Sequence, residues 1–339
     1  MKAYIRLTAG LAAIGVITFS IYTVRSHVSA APDYPSASIN AQSETVVIEI
    51  PSGATGSRVG QILFEKGVTE SALAYFRAAV ANPKSAQVAP GAHLLNLKIS
   101  AEQALSQLLD PKRIPNLIKV FEGAWKSEVR TSLIKYGFSA TEVDKAFKNV
   151  ELPKGFSDVE GLLFPAQYTF PKGTSAREAV QVMVDRFRAE MTGQKLLAAS
   201  GKYTPQQLLV IASIVQAEGD SKDFAKVSRV VRNRLEIGMP LQLDSTVHYI
   251  KKVRGQIFLS TDSTLINSAY NTYKHYGLPP TPIGNPGTAA IDGALNPTFG
   301  DWLFFITVAP GDTRFTRSND EFLQWKSLYE KNRKAGAFK

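Results

Sequence analysis

Between Leu7 and Val24 the chain reads LTAGLAAIGVITFSIYTV, 18 consecutive residues without a charge. At 1.5 Å per residue a helix over this run is about 27 Å long, enough to cross the hydrocarbon core of a bilayer. Lys2, Arg6 and Arg25 flank the run, and residues 1–25 hold no acid. The cations at the start place residues 1–6 in the cytoplasm and send everything after the span outward. A cleaved secretory signal is the competing reading, with MKAYIR as its charged leader and Val28-Ser29-Ala30 as a small-residue cleavage site. Secretory cores usually run about 7–15 residues, so the length of this one favours an uncleaved anchor. Either reading exports the rest of the chain, which argues against ATP-driven or nucleic-acid chemistry.

The remaining composition is ordinary for a globular protein, with 44% hydrophobic and 20% charged residues in 339. The formal charge is +10. With Lys2, Arg6 and Arg25 set aside the rest still carries +7, a mild excess suited to an anionic surface or polymer. The cations are dispersed and form no nucleic-acid motif. There is no cysteine, which removes disulfides, thiolate metal sites and a thiol nucleophile. The four histidines, His27, His93, His248 and His275, are scattered, so a His-rich metal site is not expected.

Residues 25–44 are small, polar and Pro-containing and read as a linker. Val46–Ile50 reads as a strand closed by Pro51-Ser52-Gly53, followed by helices near 56–66 and 70–81, a short strand at Gly91–Ile99, and helical spacing over 101–109. Residues 45–112 thus form a small β-α-α-β unit with too little core for an independent enzyme. A second section, 115–339, begins with Lys119-Val120-Phe121 and helices near 126–136 and 141–148. EGLLFPAQYTFP at 160–171 mixes aromatics and prolines in a way no helix accommodates. Helices near 175–199 and 204–236 follow, and then a loop-rich third with one strand at Trp302–Val308 and a C-terminal helix at 319–333. The chain is therefore expected to be α+β, with a single N-terminal membrane anchor, the small subdomain and a larger mixed α+β domain.

The chemistry-bearing segment is the helix opened by Thr204-Pro205-Gln206-Gln207, a capping box with Pro at the first position. Leu208, Ile211, Ile214 and Val215 line one face, and Glu218 stands at +7, +4 and +3 from the last three, so it emerges from the buried side. Gly219 stops the helix after it. Desolvation and the negative end of the helix dipole both favour a protonated carboxyl there, as a general acid toward a glycosidic oxygen requires. The plainer alternative is a Glu at a fraying helix end, turned to water. The next helix, read over 221–238 with Ser221 as its cap, buries Phe224, Val227, Val231 and Leu235, and leaves Arg229, Arg232 and Arg234 as a solvated face. A Gly238/Pro240 turn then sets Gln242, Asp244 and Thr246 along one side of an extended segment, and Tyr270-Asn271-Thr272-Tyr273 puts aromatics beside an amide, a combination sugar sites use.

Taken in order, these elements resemble the YceG-like endolytic murein transglycosylases, the MltG family. The resemblance is carried by Glu160–Pro165 with Tyr168, Phe170 and Pro171; Ala212–Glu218; Asn233–Leu235 through Gly238–Gln242 to Asp244, Thr246 and Tyr249; Tyr270–Tyr273; and Gly277–Pro280 to Asn285-Pro286-Gly287. It spans about 120–315, and the small unit looks like that family's LysM-like subdomain. The resemblance implies cleavage of the MurNAc-β-1,4-GlcNAc bond inside peptidoglycan strands with formation of 1,6-anhydro ends. Glu218 would be the catalytic acid and base. Glu160, Gln242, Asp244, Thr246, Tyr249, Asn271 and Tyr273 would shape the substrate cleft. No cofactor or metal is implied. The partners would be glycan strands, the membrane and neighbouring peptidoglycan synthases, at the cell (inner) membrane with the catalytic domain facing the wall.

The chain departs from the family pattern in places. Thr313 stands where a Gly-x-His-x-Phe stretch is common, Phe322 follows Glu321 where a His is usual, Ala269 replaces a frequent Pro, and Gln216-Ala217-Glu218 retains one Glu of a common Glu-Lys-Glu. Two rival functions remain: an exported muramidase, which needs a second carboxyl, and a non-catalytic wall-binding scaffold. Ser132-Leu133-Ile134-Lys135 matches Ser-x-x-Lys without the companion motifs of a penicillin-binding acyl transferase.

Overall fold

The computed structural model describes residues 31–36, 43–51, 53–115, 117–254 and 261–338. The expected anchor at 7–24 lies outside them. Among the described residues no helix is long and apolar enough to cross a membrane. The chain is mixed α+β and divides into two compact units. One takes the residues up to Pro115 with Thr169–Gly173, the other Asn116–Tyr168 with Thr174–Lys339.

In the first unit, β1 (Thr45–Ile50) pairs antiparallel with β2 (Gly91–Asn96), and α1 (Gly56–Glu65) and α2 (Ala72–Ala81) connect them. Strand alternation turns Ile48 and Ile50 inward and Val47 outward. The core gathers Leu63, Tyr75, Leu95 and Leu108, the last from α3 (Ala101–Leu108), which opens on a Ser100/Gln103 capping box. β2 stops at Asn96, before the expected Ile99, because Lys98 turns left-handed (φ 53°). The Asn96 N–H donates to Gln107 Oε1 (3.0 Å) and Gln107 Nε2 donates to Asn96 Oδ1 (3.1 Å), so the strand end is tied to α3.

The second unit is mainly helical. A two-residue pairing of β3 (Ile118–Lys119) with β4 (Gln167–Tyr168) precedes and follows α4 (Lys126–Tyr136) and α5 (Ala140–Asn149). The stretch expected as one helix over 175–199 is α6 (Ala176–Ala189) and α7 (Met191–Leu197), with extended backbone at Glu190 between them. α8 (Pro205–Glu218) buries every residue from Leu208 to Val215. It is a central helix, apolar around its circumference, where the sequence suggested an amphipathic one. The helix stops at Glu218, before the expected Gly219 break. A 3₁₀ turn at Ser221–Asp223 intervenes, and α9 (Phe224–Glu236) starts without Ser221 as its cap.

The last third is more ordered than its Pro and Gly content suggests. α10 (Asp244–Lys251), the single turn α11 (Thr261–Thr264) and α12 (Thr288–Leu295) punctuate the loops. β5 (Phe304–Ala309) and β6 (Asp312–Thr316) form a hairpin, beside α13 (Asn319–Lys334). The extended run expected over 242–246 is instead a helix start, because Gln242 turns left-handed (φ 47°) and α10 begins two residues later.

Candidate active site

Glu218 closes α8, and Gly219 follows because the chain passes tightly: a Cβ there would lie 3.1 Å from Val227. Glu218 is half-buried rather than frayed into water. Its Oε1 accepts the Ser245 N–H at 3.2 Å, one of the unpaired amides at the start of α10. Burial pushes its pKa up, and Asp244 adds to this through charge. Ser245, by side chain and backbone, and the Arg234 guanidinium pull the other way. The carboxyl therefore sits between forces that favour the acid and forces that favour the anion. This suits a group that must release a proton and recover one.

Arg234 is buried, not part of a solvated face. It lies at +7 from Val227 and +3 from Val231, on the buried stripe of α9, a spacing visible in the sequence. Its Nε and Nη1 donate to the carbonyls of Leu303 and Leu241, each at 2.6 Å. Those two bonds occupy two of the five guanidinium N–H donors and fix the loop that enters α10.

The Tyr-Asn-Thr-Tyr segment braces that loop from the other side. Gln242 and Leu243 donate their N–H groups to the carbonyl and hydroxyl of Thr272 at 3.1 and 3.0 Å. The Thr246 and Thr272 hydroxyls are 3.0 Å apart. Asn271 Nδ2 donates to the carbonyls of Thr264 and Ile266, and its Oδ1 accepts the Tyr273 N–H. Tyr273 in turn donates its hydroxyl to Asp244 Oδ1. Burial and the Asp244 carboxylate raise the Tyr273 pKa, so the phenol stays a donor.

Glu160 belongs to a second buried cluster. Its Oε1 accepts the Lys126 N–H (2.8 Å) at the start of α4, and its Oε2 accepts the Tyr249 hydroxyl (2.8 Å). Burial raises its pKa to about 7 against those two bonds. Tyr249 packs edge-on against Trp125 with ring centroids 6.1 Å apart and meets Tyr270 at 5.1 Å, with the Lys252 ammonium 3.5 Å from its ring centroid. The next residue, Gly161, has φ +89° and leaves no room for a Cβ, which would lie 2.7 Å from Pro282. That contact locks the Gly-Leu-Leu-Phe-Pro turn into the 277–287 loop. Asn285 completes the lock by accepting from Leu163 N–H (2.8 Å) and donating to the Ala124 carbonyl (2.7 Å). Gln216 on α8 accepts the Gly287 N–H at 2.9 Å.

The structure thus brings together Glu218, Asp244 and Tyr273, with exposed Gln242 nearby in the chain. Thr246 and Asn271 are fully buried and Glu160 and Tyr249 nearly so. Their hydrogen-bonding groups are spent on the fold, so these four support the cleft rather than line it, a correction to the expected set. Arg234 and Ser245 also act on the Glu218 carboxyl, and Gln216 lies on the adjoining groove, none of the three in the expected set. Ser245 carried no readable signal, because its free N–H comes from the helix start the fold makes where the sequence suggested an extended segment. An open groove beside Ser245 is lined by Gly123, Trp125, Gln216, Ala217 and His248. Ser132 of the Ser-x-x-Lys match spends its hydroxyl on the Glu128 carbonyl (3.1 Å) within α4. Among the described residues no three His, Asp or Glu side chains converge in a metal-ligating cluster.

Known proteins are similar to this chain. An endolytic murein transglycosylase of Bacillus subtilis (strain 168) is 31% identical over 308 residues, 84% of this chain and 85% of that protein. One of Streptococcus pneumoniae (serotype 2, strain D39) is 32% identical over 169 residues, 48% of this chain and 31% of its own length. A solved YceG-like protein of Listeria monocytogenes superposes with a TM-score of 0.53 at 26% identity, over 84% of this chain and 99% of that one. The YceG-like family model matches residues 48–327, and the chain belongs to the YceG-like family.

Proposed function

We propose that this protein is an endolytic lytic transglycosylase that cuts the MurNAc-β-1,4-GlcNAc bond within peptidoglycan strands and leaves 1,6-anhydromuramic ends, ending the growth of nascent strands. The observation that carries this reading is the Glu218 carboxyl, inclined toward its protonated form yet partly open, with Arg234 and the Ser245 N–H ready to hold the anion. Glu218 protonates the leaving oxygen, and the bond to C1 breaks with the electron pair going to that oxygen. The muramic C6 hydroxyl then closes on C1 and returns its proton to Glu218. No water enters, and one carboxyl serves both steps.

A muramidase is the second reading, favoured by one observation: Asp244 lies close enough to raise the Glu218 pKa, and a carboxyl pair is the equipment of a hydrolase. Product analysis on purified peptidoglycan decides between them. Anhydro ends that disappear with Glu218→Gln support the transglycosylase, and reducing ends overturn it. A scaffold would keep its role after Glu218→Gln.

Residues 7–24 anchor the protein in the cell membrane with the N-terminus cytoplasmic and residue 45 onward outside, within reach of peptidoglycan synthases. Carbonate washing leaves an anchored protein in the membrane, whereas a soluble mature form starting near Ala31 refutes the anchor.

A further inference from the structure

α2 has the sequence ALAYFRAAVA, apolar on nearly every side. Such a helix is normally enclosed. Its inward face, Ala74, Tyr75 and Ala79, meets the core of the first unit. Its outward face is bare: Leu73 is 41%, Phe76 40% and Val80 70% exposed. These residues follow at +3 and +7 and share the face with exposed Arg77. From Ser71 to Ala101 the chain contains Arg77, Lys84 and Lys98 and no acid. An apolar stripe beside a long cation suits contact with lipid, the stripe meeting the acyl boundary and the cation reaching the head groups.

The position of α2 along the chain says what covers it. The Ser71 hydroxyl, which caps α2, donates to the Pro32 carbonyl at 2.8 Å. The adjacent Asp33 carboxylate accepts the Ala101 N–H at 2.9 Å. The chain is therefore pinned to the start of α2 at Pro32, eight residues after Val24, the last of the uncharged run. Eight residues reach at most about 28 Å when fully extended. The head-group layer occupies about 5–8 Å of that on one side of the bilayer. α2 itself is about 15 Å long, so its outward face is within reach of the lipid beside the anchor.

We propose that the outward face of α2, Leu73, Phe76, Arg77 and Val80, docks on the lipid surface and holds the first unit flat against the membrane. The proposal rests on the anchor reading above, and its test separates the two. The chain has no cysteine, so full-length protein with Val80→Cys or, as control, Glu102→Cys can be labelled singly with an environment-sensitive fluorophore. Glu102 is an exposed residue of α3. The protein is reconstituted in vesicles of phosphatidylethanolamine and phosphatidylglycerol, with and without nitroxide-bearing lipid. The label at 80 is expected to shift to the blue and to be quenched by nitroxide lipid, while the label at 102 does neither. Adding Phe76→Glu to Val80→Cys abolishes the quenching without releasing the protein from the vesicles.

Protein that stays with the vesicles after carbonate washing, but whose label at 80 remains in water, overturns the docking and spares the anchor. A blue shift without nitroxide quenching means that protein, not lipid, covers the face, and also overturns it. Protein that fails to remain with the vesicles refutes the anchor and the docking together.

Discussion

Glu218 and Glu160 are both carboxyls whose burial raises their pKa, and they sit in the same unit of the molecule. Glu160 is 1% exposed, and each of its oxygens accepts a hydrogen bond of 2.8 Å. Glu218 is partly open, accepts one backbone N–H at 3.2 Å, and has Asp244 and Arg234 pushing its proton equilibrium in opposite directions. A raised pKa alone therefore does not mark a catalytic acid. Glu160 uses its carboxyl to tie the start of α4 to Tyr249 on α10, the helix that also presents Asp244 and the Ser245 N–H to Glu218. Exposure to solvent and spare hydrogen-bonding capacity separate the two.

The sharpest break of this comparison is substitution of each acid by its amide. Glu218→Gln keeps the shape and the acceptor for Ser245 but loses the proton. Turnover of uncrosslinked glycan strands should fall by about 10³-fold, in the range of general acid catalysis, with an unchanged or higher melting temperature. Strong residual turnover would show that another group carries the proton.

Glu160→Gln should act on stability instead. The Glu160 pKa is about 7 in the fold against an ordinary value of 4.5. Between those values the folded chain holds a proton that the unfolded chain has released, so stability falls as pH rises through that window. The loss is about 3 kcal/mol when complete. Denaturant titrations from pH 4 to 8 should show this slope in the native protein and lose it in Glu160→Gln. Equal slopes in both would remove the assignment.

Arg234 and Asp244 should shift the catalytic acid in opposite directions. Arg234 lowers the Glu218 pKa and Asp244 raises it. The basic limb of the kcat/KM profile should move to higher pH in Arg234→Met and to lower pH in Asp244→Asn. Arg234→Met also frees the Leu303 and Leu241 carbonyls, at about 1–3 kcal/mol each. Asp244→Asn should retain measurable turnover, down about tenfold for a 1.4 kcal/mol loss. Near-total loss with reducing-end products would favour the muramidase. The smallest effect is expected from Lys252→Asn, since Asn tolerates the left-handed backbone there (φ 54°). Lys252 lowers the Glu160 pKa by charge. Its removal should raise the midpoint of the stability slope slightly and leave the activity profile unmoved.

What the sequence determined by itself was local. The capping box at Thr204 and the spacing of Ile211, Ile214 and Val215 bring Glu218 out of a buried face, because helix periodicity is a property of neighbours in the chain. Ser71, Ser139 and Ser175 open their helices by the same local device, each hydroxyl accepting the amide three residues on. The tertiary structure decided everything that depends on partners far apart in sequence. Gln242 takes a left-handed turn because its loop is held between Arg234 and Thr272, and α10 starts where alternation had suggested an extended segment. Asn271 and Thr246, polar residues that looked available to a sugar, are enclosed because buried turns need internal acceptors and donors. Whether a carboxyl meets solvent or a tyrosine hydroxyl 89 residues away is set by packing. Local periodicity carries no record of it: helix spacing singles out Glu218 as the acid, but that Glu160 is enclosed is decided only in the folded chain.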